Sequence, residues 1–582
     1  MKLMFPLVIM NICRFFCTFA PLKDFYKMAM IDLLLETSWE VCNRVGGIYA
    51  VLSTKAKTLQ RVSEEVIFIG PDLNPGADNP LFTETSTPLD HWKRQARLPA
   101  GMRVRTGTWN VPGSPTCVLV SYNSLYVYKN ELFAEMWRRF GVDSLHAWGD
   151  YDESCLFSYG AALVIESIVT YKNAQCTMHN AQCGMRVVAH FDEWTTGMGL
   201  LYVKSRLPQV ATVFTTHATS VGRSICGNGK PLYDYMTGYN GDQMAQELNM
   251  VSKHSLEKSA AHEADVFTTV SDVTARECEQ LLERRPLVTP NAFEQNYVPK
   301  GAKYAATRKA ARQRLLGVAR ALSGDELGAG TLLVATSGRC EMRNKGIDLF
   351  LDAMNVLRHS DDGTLGRKIV AFVLVPGWTC EARHDLKDAM GRGKAVGLFN
   401  PIITHTIHNE GGDAIYGKMN YLGFRNQPHD EVKVIYVPSY LNGDDGIFDM
   451  PYYDLLTGLD LSIFPSYYEP WGYTPLESVA MGVPTITTNL AGFGQWVEKE
   501  CGSNELKTGV RVIHRTDSNY DEALAEIVAS VVEVSNMTVK QRDKLRSAAR
   551  ATSKQATWEH FMSHYKTAYA TALAQSQECA NG

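Results

Sequence analysis

Two apolar runs, each closed by a glycine turn that opens a helix, limit what this chain can fold into. Ile31-Asp32-Leu33-Leu34-Leu35-Glu36 leads through Arg44-Val45-Gly46-Gly47-Ile48-Tyr49 into a helical pattern at 50–59. Leu332-Leu333-Val334-Ala335-Thr336, with Gly338 behind it, opens a second series. A short apolar run bounded by turn signals predicts a strand buried on both faces, and such strands belong to parallel sheets with helical crossovers. The first series continues with predicted strands at 66–70, 117–121, 186–190, 211–215 and 266–270, and helices at 160–171 and 254–262. The second continues with strands at 369–375 and 432–437 and with Leu461-Ser462-Ile463-Phe464-Pro465. Pro286, Pro290 and Pro299 break the pattern between them, before a basic helix at 306–322. This alternation predicts an α/β protein of two doubly wound, Rossmann-like domains facing a deep cleft. The expected division is an extension at 1–30, a first domain at 31–300, a second at 301–555 with an insertion at about 380–430, and a C-terminal helix and tail at 556–582. Helices are predicted at 521–533 and 539–569.

Composition excludes several classes. At 582 residues the chain exceeds one core. A net charge of −4 without a basic tract argues against nucleic acid as a partner. The 13 cysteines are odd in number and contain no Cys-x-x-Cys pair, which predicts reduced thiols and a cytoplasmic protein. Residues 3–13 and 15–22 are apolar, but Pro6 and Arg14 interrupt them, so no membrane span is expected. The functional chain is expected to begin at Met28 or Met30.

The chemistry concentrates in Ser466-Tyr467-Tyr468-Glu469-Pro470-Trp471-Gly472-Tyr473-Thr474-Pro475-Leu476-Glu477. Glu469 and Glu477 stand seven intervening residues apart across a strand-to-helix junction. Thr474 suits an N-cap, Pro475 the first helical position and Glu477 the far side of a capping box. Free amides at such a junction favour a phosphate, and carboxylates suit sugar hydroxyls. A sugar nucleotide offers both.

This segment, with Met481-Gly482-Val483-Pro484 behind it, resembles the E-x7-E element of retaining, two-domain (GT-B) glycosyltransferases, and its wording is similar to glycogen synthases of the animal and fungal type. Gly338-Arg339-Cys340-Glu341-Met342-Arg343-Asn344-Lys345-Gly346 resembles that family's loop after the first strand of its second domain. The resemblance implies that Arg339 and Lys345 hold the donor diphosphate. Thr215-Thr216-His217-Ala218-Thr219-Ser220-Val221-Gly222-Arg223 resembles the segment carrying an active-site His and Arg. This implies His217 beside the glucose and Arg223 reaching across the cleft. By the same resemblance Glu469 orients glucose, Glu477 binds ribose and Tyr452 stacks on the base. Gly472 and Thr474 contribute backbone and hydroxyl contacts. Arg44 adds charge beside Gly46 and Gly47, whose bare backbone permits close approach to phosphate.

The implied activity is transfer of glucose from UDP-glucose to the non-reducing end of glycogen or another α-1,4-glucan, with retention of configuration. No metal or other cofactor is expected, because cations and helix amides can stabilise the leaving diphosphate. Asp150-Tyr151-Asp152 matches an Asp-x-Asp metal motif but opens a probable helix. Alternatives are a related glucosyltransferase using ADP-glucose or another acceptor, and a silent glucan-binding scaffold. Arg44-Val45-Gly46-Gly47 in place of Lys-Thr-Gly-Gly favours UDP-glucose. In the family the insertion often mediates tetramers, which implies a homo-oligomer. A last helix crossing back to the first domain is likewise implied.

Three departures stand out. His190-Phe191-Asp192-Glu193-Trp194 carries Asp192 where the family carries His, and Tyr453 replaces a usual acid. Arg542, Arg546 and Arg550 fall on one helix face, sparser than the family's arginine cluster, and are expected to be a solvated face. His262 is expected to be structural.

Overall fold

The computed structural model describes residues 31–178, 184–393, 395–502 and 505–581. The expected extension at 1–30 lies outside the described residues. Among these, two parallel-rich sheets organise the chain. The first contains β1 (Ile31–Thr37), β2 (Ser63–Pro71), β3 (Phe82–Glu84), β4 (Arg103–Trp109), β5 (Thr116–Ser121), β6 (Val187–Asp192), β7 (Ala211–Thr216), β8 (Val266–Thr269) and β9 (Leu287–Val288). Their order is β3-β4-β5-β2-β1-β6-β7-β8-β9. β1 pairs in parallel with β2 and β6, and Leu33, Leu34 and Leu35 are fully buried, as a strand covered on both faces requires. The sheet departs from a purely parallel one at its edge, where β3, β4 and β5 pair antiparallel.

The second sheet contains β10 (Leu332–Ser337), β11 (Ile369–Leu374), β14 (Val432–Val437), β15 (Leu461–Ile463), β16 (Thr485–Thr488) and β17 (Val510–Ile513), in the order β14-β11-β10-β15-β16-β17. Between β11 and β14 the insertion forms a hairpin of β12 (Thr379–Ala382) and β13 (His405–Ile407) and the short helices His384–Gly391 and Ala414–Tyr421. In each sheet the order reverses beside the opening strand, between β1 and β6 and between β10 and β15. A crevice forms at the carboxyl ends of strands at such a point, and ligands bind there.

The helix predicted at 539–569 is two helices, Val539–Ser553 and Trp558–Asn581. The second crosses back onto the first sheet. Trp558 Nε1 donates to Thr54 Oγ1 at 2.9 Å, and Tyr569 Oη lies 3.1 Å from His190 Nδ1. The apolar helix Tyr151–Met178 is long enough to span a membrane, but Leu156, Phe157, Val164 and Ile165 are fully buried in the first core.

Two expectations need correction. The helix behind the two carboxylates runs Tyr473–Ala480 and starts from Gly472, at φ 107°, with no side-chain cap. Thr474 therefore lies inside the first turn, and no capping box involves Glu477. Glycine supplies a left-handed start that threonine could not, and Pro475 is tolerated because first-turn amides have no intrahelical acceptor. The capping box is instead at Thr538 and Gln541, opening Val539–Ser553.

The arginine face of that helix is not solvated. Arg542 is 9% exposed and donates to Met537 O at 2.8 Å. Arg550 lies over the Tyr304 ring at 3.8 Å. Arg546 approaches Asp460 at 3.5 Å, and the buried Asp460 also takes Arg308 at 2.9 Å and Arg312 at 2.7 Å. A backbone carbonyl, an aromatic ring and a sequestered carboxylate thus draw the three arginines inward.

Candidate active site

The two switch points face each other, and the predicted residues gather there. After β10, Gly338 (φ 144°) and Gly346 (φ 68°) bracket the tight loop that carries Arg339 and Lys345. A Cβ on Gly346 would lie 2.0 Å from Pro465 O, so only glycine fits against the neighbouring β15 loop. That approach sets Lys345 Nζ 2.5 Å from Glu469 Oε2. Asn344 O accepts from Tyr467 N at 2.9 Å and Tyr468 N at 3.0 Å, tying the two loops together.

Glu341 joins the remaining cations. Its Oε1 lies 3.1 Å from Arg339 and 3.5 Å from Arg223, and its Oε2 accepts from Asn344 Nδ2 at 3.1 Å. Arg223 comes from the first sheet's side, on the helix Ser220–Gly227, capped by Thr219 accepting from Gly222 N at 2.9 Å. Burial works against its charge, yet Tyr468, Glu341, Glu193 and Glu469 raise its pKa. Arg339 is exposed. Three cations from two units thus share two carboxylates.

His217 follows β7 and is 9% exposed. Its Nε2 lies 2.9 Å from Asp192 Oδ1 at the end of β6. Its backbone and that of Ala218 donate to Glu193 Oε1 at 3.0 and 3.2 Å. Glu193 holds φ 69°, an uncommon conformation for a non-glycine residue. The buried Glu257 accepts from Ser220 N at 2.9 Å and Thr216 Oγ1 at 3.0 Å. The buried Glu277 accepts from Thr219 N at 3.2 Å and, from the other unit, Tyr468 Oη at 2.8 Å. Burial pushes Glu193 and Glu277 up to about 7 and Glu257 up to about 8. Three carboxylates therefore cradle the turn that presents His217 and Arg223.

In the second unit, Glu477 is 8% exposed and its Oε1 accepts from Tyr453 Oη at 2.8 Å. Burial lifts Glu477 to about 7, against that bond and the charge of Arg44. Tyr453 is boxed by Phe293 at 5.7 Å, Tyr297 at 5.8 Å and Tyr452 at 5.7 Å. Tyr452 Oη meets Ser337 Oγ at 2.6 Å, at the carboxyl end of β10.

Two amides of the segment around the Arg44–Gly47 turn are already engaged within the first unit. Gly46 N and Tyr49 N donate to Glu40 Oε2 at 2.7 and 2.8 Å, so an internal carboxylate holds these amides. Arg44 is exposed and lies over the Tyr49 ring at 5.2 Å. Gly47 faces Tyr473 of the opposite unit, whose Cδ2 would be 4.0 Å from an added Cβ.

Asp150 and Asp152 are each paired with a lysine, Lys253 at 2.6 Å and Lys129 at 2.7 Å. His262 Nε2 bonds Leu282 O at 2.8 Å, a structural contact. Glu341, Glu193, Glu257 and Glu277 were not singled out by sequence, whereas Asp192 stood out there as a departure from the family. Glu341, two places from Arg339, and Glu193, beside Asp192, lay inside quoted motifs and carried a usable signal; Glu257 and Glu277 did not.

Two α/β units with opposed switch points and this convergent cationic site define a glycosyltransferase of the GT-B fold. The catalytic domain of starch synthase IV from Arabidopsis thaliana, bound to ADP and acarbose, shares that fold at a TM-score of 0.54 and 13% identity, covering 94% of this chain and 100% of that one. The family model described as Glycogen synthase matches residues 36–397 and 389–578, and the chain belongs to that family. It is 29% identical to the glycogen [starch] synthase of Neurospora crassa over 90% of this chain and 81% of that protein. It is likewise 29% identical to glycogen [starch] synthase isoform 2 of Saccharomyces cerevisiae, over 90% and 84%. The liver glycogen [starch] synthase of Mus musculus is 28% identical, over 93% and 83%.

Proposed function

We propose that this chain transfers glucose from UDP-glucose to the non-reducing end of an α-1,4-glucan with retention of configuration. The observation that carries this is the convergence of Lys345 on Glu469 and of Arg339 and Arg223 on Glu341, at facing switch points. A leaving diphosphate gains charge as the glycosidic bond breaks, and cations already in place stabilise it without reorganisation. Lys345, Arg339 and Arg223 take that role. Glu469 orients the glucose hydroxyls, His217 stands beside the sugar, and the acceptor attacks from the leaving-group face, its proton passing to the diphosphate. Glu477 receives the ribose, Tyr452 stacks on the base, and Gly472 and Thr474 complete the donor contacts. Arg44 and Gly47 border the phosphates from the first unit, with chain division near residue 300. The thiols Cys42 and Cys117, unbridged with sulfurs 3.5 Å apart, support a cytoplasmic location. We also propose a homo-oligomer, a tetramer being the form to test first by light scattering.

The test is glucose incorporation into glycogen from UDP-glucose and from ADP-glucose, each with and without EDTA. Strong, EDTA-resistant transfer from UDP-glucose is expected. Preference for ADP-glucose overturns the donor, sensitivity to EDTA overturns the cation-based chemistry, and no transfer from either donor overturns the activity.

A further inference from the structure

Asp192 closes β6 where the resembled proteins carry a histidine. It is 1% exposed and cannot touch a substrate in the cleft. Among the described residues its carboxylate makes one hydrogen bond, to His217, Oδ1 to Nε2 at 2.9 Å, while its carbonyl accepts from Thr196 Oγ1 at 2.9 Å. Its surroundings are charged on every side. Lys55, fully buried on the helix Gly47–Leu59, pairs with Glu36 at 2.5 Å. His190 Nδ1 lies 3.3 Å from Glu36 Oε2 and 3.1 Å from Tyr569 Oη on the returning C-terminal helix. The ligand atoms of Glu36, His190 and Asp192 lie within 4.8 Å of one another, a grouping that could hold a metal ion, but Lys55 already supplies a cation there. Burial opposes ionisation of Asp192, yet Lys55, His190 and His217 hold its carboxyl well below the usual range.

An ionised carboxylate only accepts hydrogen bonds. The proton in the Asp192–His217 bond therefore belongs to Nε2 of the imidazole. Nδ1 is then the ring atom left to meet a ligand. The peptide of His217 is anchored on the very next residue, through Glu193 Oε1 at 3.0 Å. Two consecutive acids thus fix the ring and its backbone. A histidine in place of Asp192 could donate or accept and would leave the bond's direction open.

We propose that Asp192 is a positioning residue for the transfer reaction, holding His217 in the Nε2–H tautomer so that Nδ1 accepts a hydroxyl of the donor glucose. This rests on the placement of His217 beside glucose proposed above. In a Ser-His-Asp triad, replacing the acid by its amide keeps the geometry but costs about 10⁴-fold through the wrong tautomer. Here no proton is transferred by the ring, so a smaller effect is expected.

The experiment is a double-mutant cycle on the full chain with UDP-glucose and glycogen, using Asp192→Asn, His217→Ala and the pair. The expected result is a kcat lower by about 10–10²-fold for Asp192→Asn, with KM for UDP-glucose within about threefold, and a double variant no slower than His217→Ala. A retained kcat, or losses that multiply, overturns the proposal, because a packing role acts whether or not His217 is present. The same cycle with Asp192→His, the side chain of the resembled proteins, keeps the test intact if the amide variant fails to fold. It is expected to show a smaller kcat loss that likewise vanishes in the His217→Ala background. Wild-type protein that transfers no glucose refutes the functional proposal itself; active wild type with multiplying losses refutes only the role of Asp192.

Discussion

Lys345 Nζ and Glu469 Oε2 stand 2.5 Å apart, joining the first loop of the second sheet to the loop after β15, each side chain less than a fifth exposed. Under the proposed function the pair would hold a cation where the leaving diphosphate needs it and the carboxylate at the sugar. Lys345→Ala removes the one and releases the other. The expected outcome is a kcat lower by about 10²–10³-fold, the scale of losing one preorganised electrostatic stabiliser. Steady-state kinetics with UDP-glucose checks it, and an unchanged kcat removes Lys345 from the chemistry.

The three carboxylates around the 216–223 turn make stability pH-dependent in an unusual sense. Glu257 and Glu277 are raised by burial to about 8 and about 7, above their ordinary value of 4.5. Between pH 4.5 and 7 the folded chain keeps these protons and the unfolded chain has lost them. Stability from these groups is therefore full below about pH 4.5 and is lost as pH rises through 7 and 8. Glutamine at 257 can still accept from Ser220 N and carries no charge at any pH. Glu257→Gln should match wild type in thermal midpoint at pH 5 and exceed it by several degrees at pH 8.5, as scanning calorimetry would record. Parallel midpoints at both pH values would contradict the burial argument.

Asp460 pairs with Arg308, Arg312 and Arg546 while itself 5% exposed. Removing one partner of a buried ion pair leaves uncompensated charge and costs about 3–5 kcal/mol. Asp460→Asn should accordingly lower the unfolding midpoint of the second unit strongly while leaving the first unit's transition near its wild-type value. Denaturation followed by probes in each unit reads this out. Equal shifts in both would mean that the cluster is not local to the second sheet.

What the sequence made legible follows from these contacts. β1, β10, β11 and β14 read clearly because strands buried on both faces are written as unbroken apolar runs. β3 and β4 do not, since Thr83, Glu84 and Arg103 are exposed on an antiparallel edge and mimic a loop. β16 hides because Thr485, Thr487 and Thr488 are buried but polar. At the site, Arg339, Lys345, His217, Arg223, Glu469 and Glu477 stood out through glycine-punctuated turns and family wording. The buried acids behind them, Glu257 and Glu277, did not. Glu277 meets Tyr468 across 191 positions and looks like any helix acid. The arginine face failed for the same reason: helical spacing tells which residues share a side, not which distant carboxylate covers it.

Tyr453 shows how such a partner tunes the site. Its hydroxyl donates to Glu477 at 2.8 Å and pulls the carboxyl pKa down, against the burial that raises it to about 7. Tyr453→Phe keeps the ring against Phe293 and Tyr297 but removes the donor. Glu477 then loses a hydrogen bond to its charged form, worth about 1.5–3 kcal/mol, and its pKa rises further. If ionised Glu477 accepts from the ribose, the variant's KM for UDP-glucose rises roughly tenfold near pH 7 and recovers as the pH approaches 9. The acid limb of its kcat/KM profile moves to higher pH. A KM increase of the same size at every pH would mean that Tyr453 contributes only shape, because a packing defect does not titrate.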